Sequence, residues 1–121
     1  MTRTLELVDR KPGERCCDVQ ARPSLTFKEA ERVASDFEVL SHPVRLQLLD
    51  MLARNAGRVC VCDLEAAVPV KQPTVSHHLR LLREAGLVDA EKVGVWAYYH
   101  VDRERLAQMR QRLGDRLRDL S

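Results

Sequence analysis

The sequence contains no long run of apolar residues. Its 121 residues are 45% hydrophobic and 31% charged, and charged side chains interrupt every apolar stretch. A membrane-spanning helix needs about 20 apolar residues in succession, and a secretory signal needs an apolar stretch followed by small residues. Neither pattern occurs, so we expect one compact domain in the cytosol, with no membrane partner.

A strong excess of one charge is also missing. Lysine and arginine number 20 and the acidic residues 18, giving a formal net charge of +2. Basic DNA-binding domains usually have a larger imbalance, so charge alone does not identify a nucleic-acid partner. A weak basic tilt is confined to residues 71–101, which also hold three of the four histidines.

Cysteine is scarce but clustered. The four cysteines form two tight pairs, Cys16 with Cys17 and Cys60 with Cys62. In a reducing compartment such clusters bind metals or sense redox state more often than they form structural disulfides.

The N-terminal residues 1–25 mix charge with proline and glycine and have no sustained periodicity, which predicts a flexible arm carrying Cys16 and Cys17. Thr26 and Glu29 have capping-box spacing and predict the start of a helix. The folded domain is therefore predicted to span residues 26–121.

Helical periodicity continues along the chain. Pro43 predicts the first turn of a second helix, which we expect Gly57 to end with a left-handed cap. A short extended segment at 59–61 and a brief helix at 63–68 are predicted next. A further helix spans about 72–85, with Gly86 as its stop.

The remaining residues predict a β-hairpin and a final helix. Residues 87–91 and 95–101 are strand-like and flank residues 92–94, which places Lys92 at the tip of the hairpin. Residues 102–120 predict a helix whose apolar residues are spaced as in a coiled coil: Leu106, Met109, Leu113, Leu117 and Leu120.

A short helix, a three-residue turn and a helix with small polar residues at its start form a helix-turn-helix pattern. The second helix of such a pair enters the DNA major groove, and a following hairpin serves as a wing. The residues expected to contact bases or phosphates are Gln72, Thr74, Ser76, His77, Arg80 and Lys92. Arg45 is also considered as a phosphate contact, with an ordinary surface arginine as the alternative. One of His77 and His78 is expected to contact DNA while the other packs or caps. The alternative is an amphipathic helix with a solvated polar face.

Four segments resemble the ArsR/SmtB family of metalloregulatory repressors: SHPVRL (41–46), VCVCDL (59–64), QPTVSHHLRLLREAGLV (72–88) and GVWAYY (94–99). The resemblance covers about residues 27–117. It implies a mainly α winged helix-turn-helix protein with a β-hairpin, which forms a homodimer through its first and last helices. It also implies a repressor that leaves double-stranded operator DNA when an inducer binds.

Within that family, the segment around Cys60 and Cys62 resembles the arsenic-responsive branch, in which thiolates bind As(III) or Sb(III). A soft trivalent centre prefers three thiolates, and a helix N-terminus favours the thiolate form. The best-known motif has a third cysteine where this chain has Glu65. The resemblance therefore implies that Cys16 or Cys17, from the same or the partner subunit, completes the site.

Several ligand sets remain open. Cys16 and Cys17 with either Cys60 or Cys62 is the leading set, and all four around Zn(II), Cd(II) or Pb(II) is the rival. Methylarsenite needs only two thiolates. Two alternatives involve no metal: Cys60 and Cys62 are buried structural thiols, or Cys16 and Cys17 are free thiols of the arm with no function. Other family members bind Zn(II) on the last helix, but the matching residues here lack both histidines, so no metal is expected there: Asp102, Glu104, Asp115 and Arg118.

Two other functions share these cysteines. Cys16 and Arg22 have the C-x5-R spacing of small thiol phosphatases and arsenate reductases, but the intervening residues lack the glycine of a phosphate cradle. We therefore predict that the chain is not an enzyme and uses no organic cofactor. A redox switch, in which disulfides replace the metal on the same DNA-binding fold, stays open.

Overall fold

The computed structural model describes residues 22–121, which form five helices and three strands. The elements in chain order are α1 (Phe27–Leu40), α2 (Pro43–Arg54), β1 (Val59–Cys60), α3 (Val61–Ala67), α4 (Gln72–Glu84), β2 (Val88–Val93), β3 (Trp96–Val101) and α5 (Arg103–Leu120). The mainly α fold with a β-hairpin is confirmed. Cys16, Cys17 and nearly all of the predicted arm lie outside the described residues.

Helix α1 begins at Thr26, as predicted, because the Thr26 hydroxyl accepts a hydrogen bond from the Glu29 backbone N–H at 3.1 Å. None of its residues is buried within the single chain, and Phe27 is 80% exposed. Two hydrogen bonds of 2.9 and 3.1 Å from Arg112 to Asp36 attach α1 to α5. These bonds raise the pKa of the Arg112 guanidinium.

Helix α2 starts at Pro43 as predicted, and its cap is the His42 ring, whose Nδ1 accepts a hydrogen bond from the Val44 N–H at 3.1 Å. Gly57 does not end this helix with a left-handed cap, so that prediction is wrong. Asn55 is the C-cap in an extended conformation, and Gly57 is not among the glycines with positive φ. The side-chain amide of Asn55 also donates to the Met51 carbonyl at 2.6 Å, which satisfies a terminal acceptor.

The core lies between α2, α3, α4 and the inner face of the sheet. Fully buried side chains from each helix meet there: Leu48, Leu52, Leu64, Val75, Leu79 and Leu82. Helix α3 starts at Val61, two residues earlier than predicted, and this makes Cys60 its N-cap. Gly86 follows the C-cap of α4 and stops the helix, as predicted, with a φ of +78° that favours glycine.

The three strands form an antiparallel sheet in the order β1-β3-β2. Strand β1 pairs with β3 through Val59 with Tyr99 and Cys60 with Tyr98. Lys92 does not lie at the hairpin tip: it is a strand residue opposite Ala97, and the turn is formed by Gly94 and Val95. Gly94 has a φ of +64°, as expected at the first central position of a type II′ turn.

Helix α5 begins after Asp102, whose carboxylate accepts from the Arg105 N–H at 3.0 Å. Its apolar seam is only partly covered, because Met109 and Leu113 are buried while Leu117 and Leu120 are 54% and 85% exposed. An apolar groove of about 570 Å³ runs along this seam from Leu40 to Leu117. No helix within residues 22–121 has both the length and the apolar character to span a bilayer.

Candidate nucleic-acid interface and thiol site

Helix α4 has one buried face and one exposed face. Val75, Leu79 and Leu82 are fully buried. The predicted DNA-contacting residues of this helix are all exposed: Gln72, Thr74, Ser76, His77 and Arg80. The sequence therefore placed these five side chains on the solvent side correctly. A polar face at the start of the second helix of the pair has the composition that reads base edges.

Side chains on the exposed face of α4 contact one another. The Arg80 guanidinium lies 3.1 Å from Nδ1 of His77 and 3.9 Å from the Glu84 carboxylate. These contacts hold Arg80 along the helix surface with its cationic group in solvent, where a phosphate can reach it.

Arg45 is half-buried and its guanidinium lies in a network within the protein, and the expected phosphate contact stays a prediction. Its guanidinium donates to the carbonyls of Val39 at 2.7 Å and Glu38 at 3.0 Å, both near the end of α1. It also donates to Nδ1 of His78 in α4 at 3.1 Å. One side chain of α2 thus joins the first helix to the fourth.

The structure assigns the packing role to His78, which is only 5% exposed, while His77 is exposed. The His78 ring centroid lies 4.1 Å from that of His42, the cap of α2. Burial lowers the pKa of His78, and the nearby charges of His42, Arg45 and His77 lower it further. The neutral ring accepts a hydrogen bond from the Arg45 guanidinium at Nδ1, so the network requires an uncharged His78.

The wing differs from its expected form. Lys92 is exposed on strand β2, and the residues from Val93 to Ala97 carry no charge. Val95 at the turn is 91% exposed, and the following Trp96 is half exposed. The tip of the wing is therefore apolar.

The structure brings Cys60 and Cys62 together, with 2.8 Å between their sulfur atoms. Cys60 is half-buried at the junction of β1 and α3, and Cys62 is exposed in the first turn of α3. Two sulfur atoms this close to each other are the kind of donors that a soft ion prefers. Within residues 22–121 no group of three potential metal ligands is formed.

The expectation that the helix N-terminus favours the thiolate does not hold for Cys62. Its pKa is raised, first by the hydrogen bond of its thiol with Cys60, and further by desolvation and by the charges of Cys60 and Asp63. The backbone N–H of Asp63 lowers the pKa but does not outweigh these effects.

The residues of α5 that correspond to a second metal site have other partners. Asp102 caps α5, and Asp115 forms an ion pair with Arg118 at 2.6 Å. Gln111 donates to the same carboxylate at 3.2 Å. These contacts are those of a solvated helix face.

Sequence reasoning missed two sets of contacts. The Arg45–His78 bond joins residues 33 positions apart, and an ion pair of Arg58 with Glu91 spans the same separation. No local pattern encodes either contact, because each depends on how distant elements pack.

Comparisons with known proteins agree with this architecture. The family described as "Bacterial regulatory protein, arsR family" matches residues 42–90. The chain is 39% identical over 83 residues to an uncharacterized HTH-type transcriptional regulator of Methanocaldococcus jannaschii, covering 69% of this chain and 92% of that protein. It is 42% identical over 65 residues to the arsenical resistance operon repressor of Escherichia coli, covering 54% and 55%. A cadmium resistance regulatory protein CadC homolog of Staphylococcus aureus is 33% identical, covering 74% of each chain.

Solved structures are similar over most of the described residues. The crystal structure of a possible transcriptional regulator for arsenical resistance matches with a TM-score of 0.58 and 34% identity, covering 70% of this chain and 95% of that one. A homodimeric winged helix-turn-helix DNA-binding domain from Mycobacterium bovis, solved by NMR, matches with a TM-score of 0.58 and 25% identity, covering 84% and 91%.

The lowered pKa of His78 predicts a pH-dependent stability. The folded protein resists protonation of His78, whereas the unfolded chain takes up the proton near pH 6.5. Stability is therefore retained above pH 6.5 and falls as the pH decreases toward the folded pKa. In urea unfolding, the His78→Gln variant should lose less stability than the wild type when the pH is lowered from 7.5 to 5. The amide oxygen of the glutamine can still accept a hydrogen bond from Arg45.

The matched control is His100→Gln, which removes an exposed histidine of β3 that is not among the charges acting on His78. This variant should keep the pH dependence of the wild type. Equal pH dependence in His78→Gln and the wild type would contradict the prediction.

Proposed function

Because this chain belongs to the ArsR family of DNA-binding transcriptional repressors, we propose that trivalent arsenic or antimony is the inducer that releases it from operator DNA. The observation that carries the proposal is the Cys60–Cys62 pair, with its sulfurs 2.8 Å apart at the start of the helix-turn-helix. A relative named as an arsenical resistance operon repressor supports it. As a repressor, the chain is not an enzyme.

The donor set fits a soft, thiophilic ion. As(III) and Sb(III) bind three thiolates in a pyramidal arrangement, and Cys60 and Cys62 offer two. Cys16 and Cys17 are the only other cysteines of the sequence, so the N-terminal segment 1–25 supplies the remaining ligands. The leading set is Cys16 and Cys17 with either Cys60 or Cys62, from the same or the partner subunit.

A four-thiolate site for Cd(II), Zn(II) or Pb(II) is the second proposal. It uses all four cysteines in a tetrahedral arrangement. The relative named as a cadmium resistance regulatory protein homolog supports this alternative.

Release follows from the position of the pair. Cys60 is the N-cap of α3, and α3 packs against α4 through the buried Leu64. Ligation of the pair by the N-terminal segment would shift the start of α3 and, with it, the orientation of α4. A coupling of about 1–3 kcal/mol, or roughly 5–150-fold in affinity, is typical of such ligand effects.

We propose that the exposed residues of α4 read the operator. Gln72 pairs with adenine, Thr74, Ser76 and His77 contact bases or phosphates, and Arg80 contacts a phosphate. Lys92 keeps its proposed phosphate contact, from strand β2 and not from the tip. Action on operator DNA places the repressor in the cytoplasm.

The repressor acts as a homodimer through α1 and α5. Phe27, Leu117 and Leu120 are largely exposed on these helices, and the apolar groove of about 570 Å³ lies between Leu40 and Leu117. A second copy of α1 and α5 would cover this surface. Dimerisation would hold two α4 helices about 34 Å apart, one turn of DNA.

Fluorescence anisotropy of the reduced protein on its own upstream DNA tests the inducer. Stoichiometric arsenite or antimonite should release the wild type, and the Cys60→Ser/Cys62→Ser double variant should stay bound because its soft ligands are gone. Cys16→Ser/Cys17→Ser should need a much higher arsenite concentration, since one remaining pair cannot complete three thiolates.

Three results of that titration would contradict the proposal. Arsenite release that survives Cys60→Ser/Cys62→Ser would exclude the pair as the sensor. Release by Cd(II) or Zn(II) alone would favour the four-thiolate site. Release by peroxide without any metalloid, reversed by reductant, would favour a redox switch.

Substitution on α4 tests the DNA contacts. Gln72→Ala should weaken operator binding by about 1–3 kcal/mol and leave non-specific DNA binding unchanged, because a bidentate base contact carries sequence information. Arg80→Ala should reduce the slope of log affinity against log salt by about one, since one phosphate contact is lost. Arg118→Ala, which removes the same charge from the last turn of α5, is the control and should leave the slope unchanged. Equal losses for Gln72→Ala on specific and random DNA would exclude base reading.

Sedimentation of Leu117→Arg tests the dimer. A charge in the groove should shift the protein toward monomers and weaken operator binding, while the thermal unfolding of each subunit changes little because Leu117 is exposed. Val95→Arg places the same charge at an exposed site on the wing and should remain dimeric. A dimeric Leu117→Arg protein would rule out this surface as the interface.

A further inference from the structure

The thiol pair is attached to the wing as well as to the helix-turn-helix. Cys60 is the last residue of β1 and pairs with Tyr98 of β3. Side chains alternate between the two faces of a sheet. Val59 and Tyr99 pack on the core, so Cys60 and Tyr98 share the outer face.

Arg58 links the three strands on that face. It precedes β1 directly, and its guanidinium lies 4.7 Å from the ring centroid of Tyr98. It also forms an ion pair with Glu91 of β2, the residue opposite Tyr98. We call Arg58, Tyr98 and Glu91 the outer clamp.

Strand β1 is short, so the clamp matters for its position. The strand has two residues and two paired positions on β3. Few backbone contacts therefore hold β1 in the sheet, and Arg58 adds a side-chain connection from the start of β1 to β2. Trp96 lies two residues from Tyr98 on the same face, opposite Val93 near the tip of the wing.

We propose that the outer clamp couples ligand binding at Cys60 and Cys62 to the position of the β2–β3 wing, so that release involves the wing as well as α4. This inference rests on the proposed function. Arg58, Tyr98 and Glu91 are positioning residues: none of them binds the inducer. The ion pair joins half-exposed groups, and such pairs contribute little to stability, so their removal should leave the fold intact.

The test measures three quantities on Arg58→Ala. Arsenite binding, followed by equilibrium dialysis, should match the wild type because all four cysteines remain. The operator affinity without arsenite, divided by the affinity with saturating arsenite, should be at least about threefold smaller than in the wild type. Couplings of this kind typically give a ratio of roughly 5–150-fold. Trp96 is the only tryptophan, and its emission shift on arsenite binding should be lost.

Two variants serve as controls. Tyr98→Phe keeps the ring under Arg58 and should retain both the affinity ratio and the emission shift. Arg54→Ala removes an exposed arginine paired with Asp50 at 3.0 Å on α2 and should behave like the wild type. A merely structural role of Arg58 would lower stability and arsenite binding together.

The outcomes separate the two proposals. If Arg58→Ala keeps the wild-type affinity ratio and emission shift, the outer clamp does not couple the sites, and the arsenic-responsive repressor stands. If arsenite does not release the wild type from its operator, the proposed function fails and the coupling fails with it.

Discussion

Burial of Val75, Leu79 and Leu82 fixes the rotation of α4 about its axis, and the proposed DNA-contacting surface depends on this rotation. The three side chains are fully buried against the core, and each contributes about 1.5–3 kcal/mol by leaving water. A rotation that exposed them would be too costly for a domain whose total stability is about 5–15 kcal/mol. His78 lies on the buried side of the helix, and the polar residues on the opposite side therefore face solvent: Gln72, Thr74, Ser76, His77 and Arg80.

A polar contact complements this apolar constraint. Arg45 donates to two carbonyls at the end of α1 and to His78 of α4. A guanidinium forms several hydrogen bonds in a fixed planar geometry, so it holds the end of α1 and helix α4 at a fixed separation. The contact lasts only while His78 is neutral, and burial of the ring favours that state.

Local signals in the sequence predicted the fold well and the long-range contacts poorly. Thr26 and Pro43 start helices through interactions within a few residues, and the apolar spacing of α4 depends only on that helix. The expected cap at Gly57 was wrong because Asn55 ends α2 first. The roles of Arg45 and Arg58 could not be predicted, since their partners lie 33 residues away. In the candidate site, the proximity of Cys60 and Cys62 followed from their spacing, whereas the raised pKa of Cys62 depends on how the two thiols meet.

The length of α3 has a consequence for the speed of the response. The helix has seven residues and one buried side chain, Leu64, and so short a helix is not stable without its packing contacts. Helix–coil relaxation of peptides takes about 0.1–1 μs. In the folded protein a shift of α3 also has to repack Leu64 in the core, and shifts of packed elements take microseconds to milliseconds. If the proposed inducer binds Cys60 and Cys62, the shift of α3 would follow within about milliseconds and would add little delay to the response.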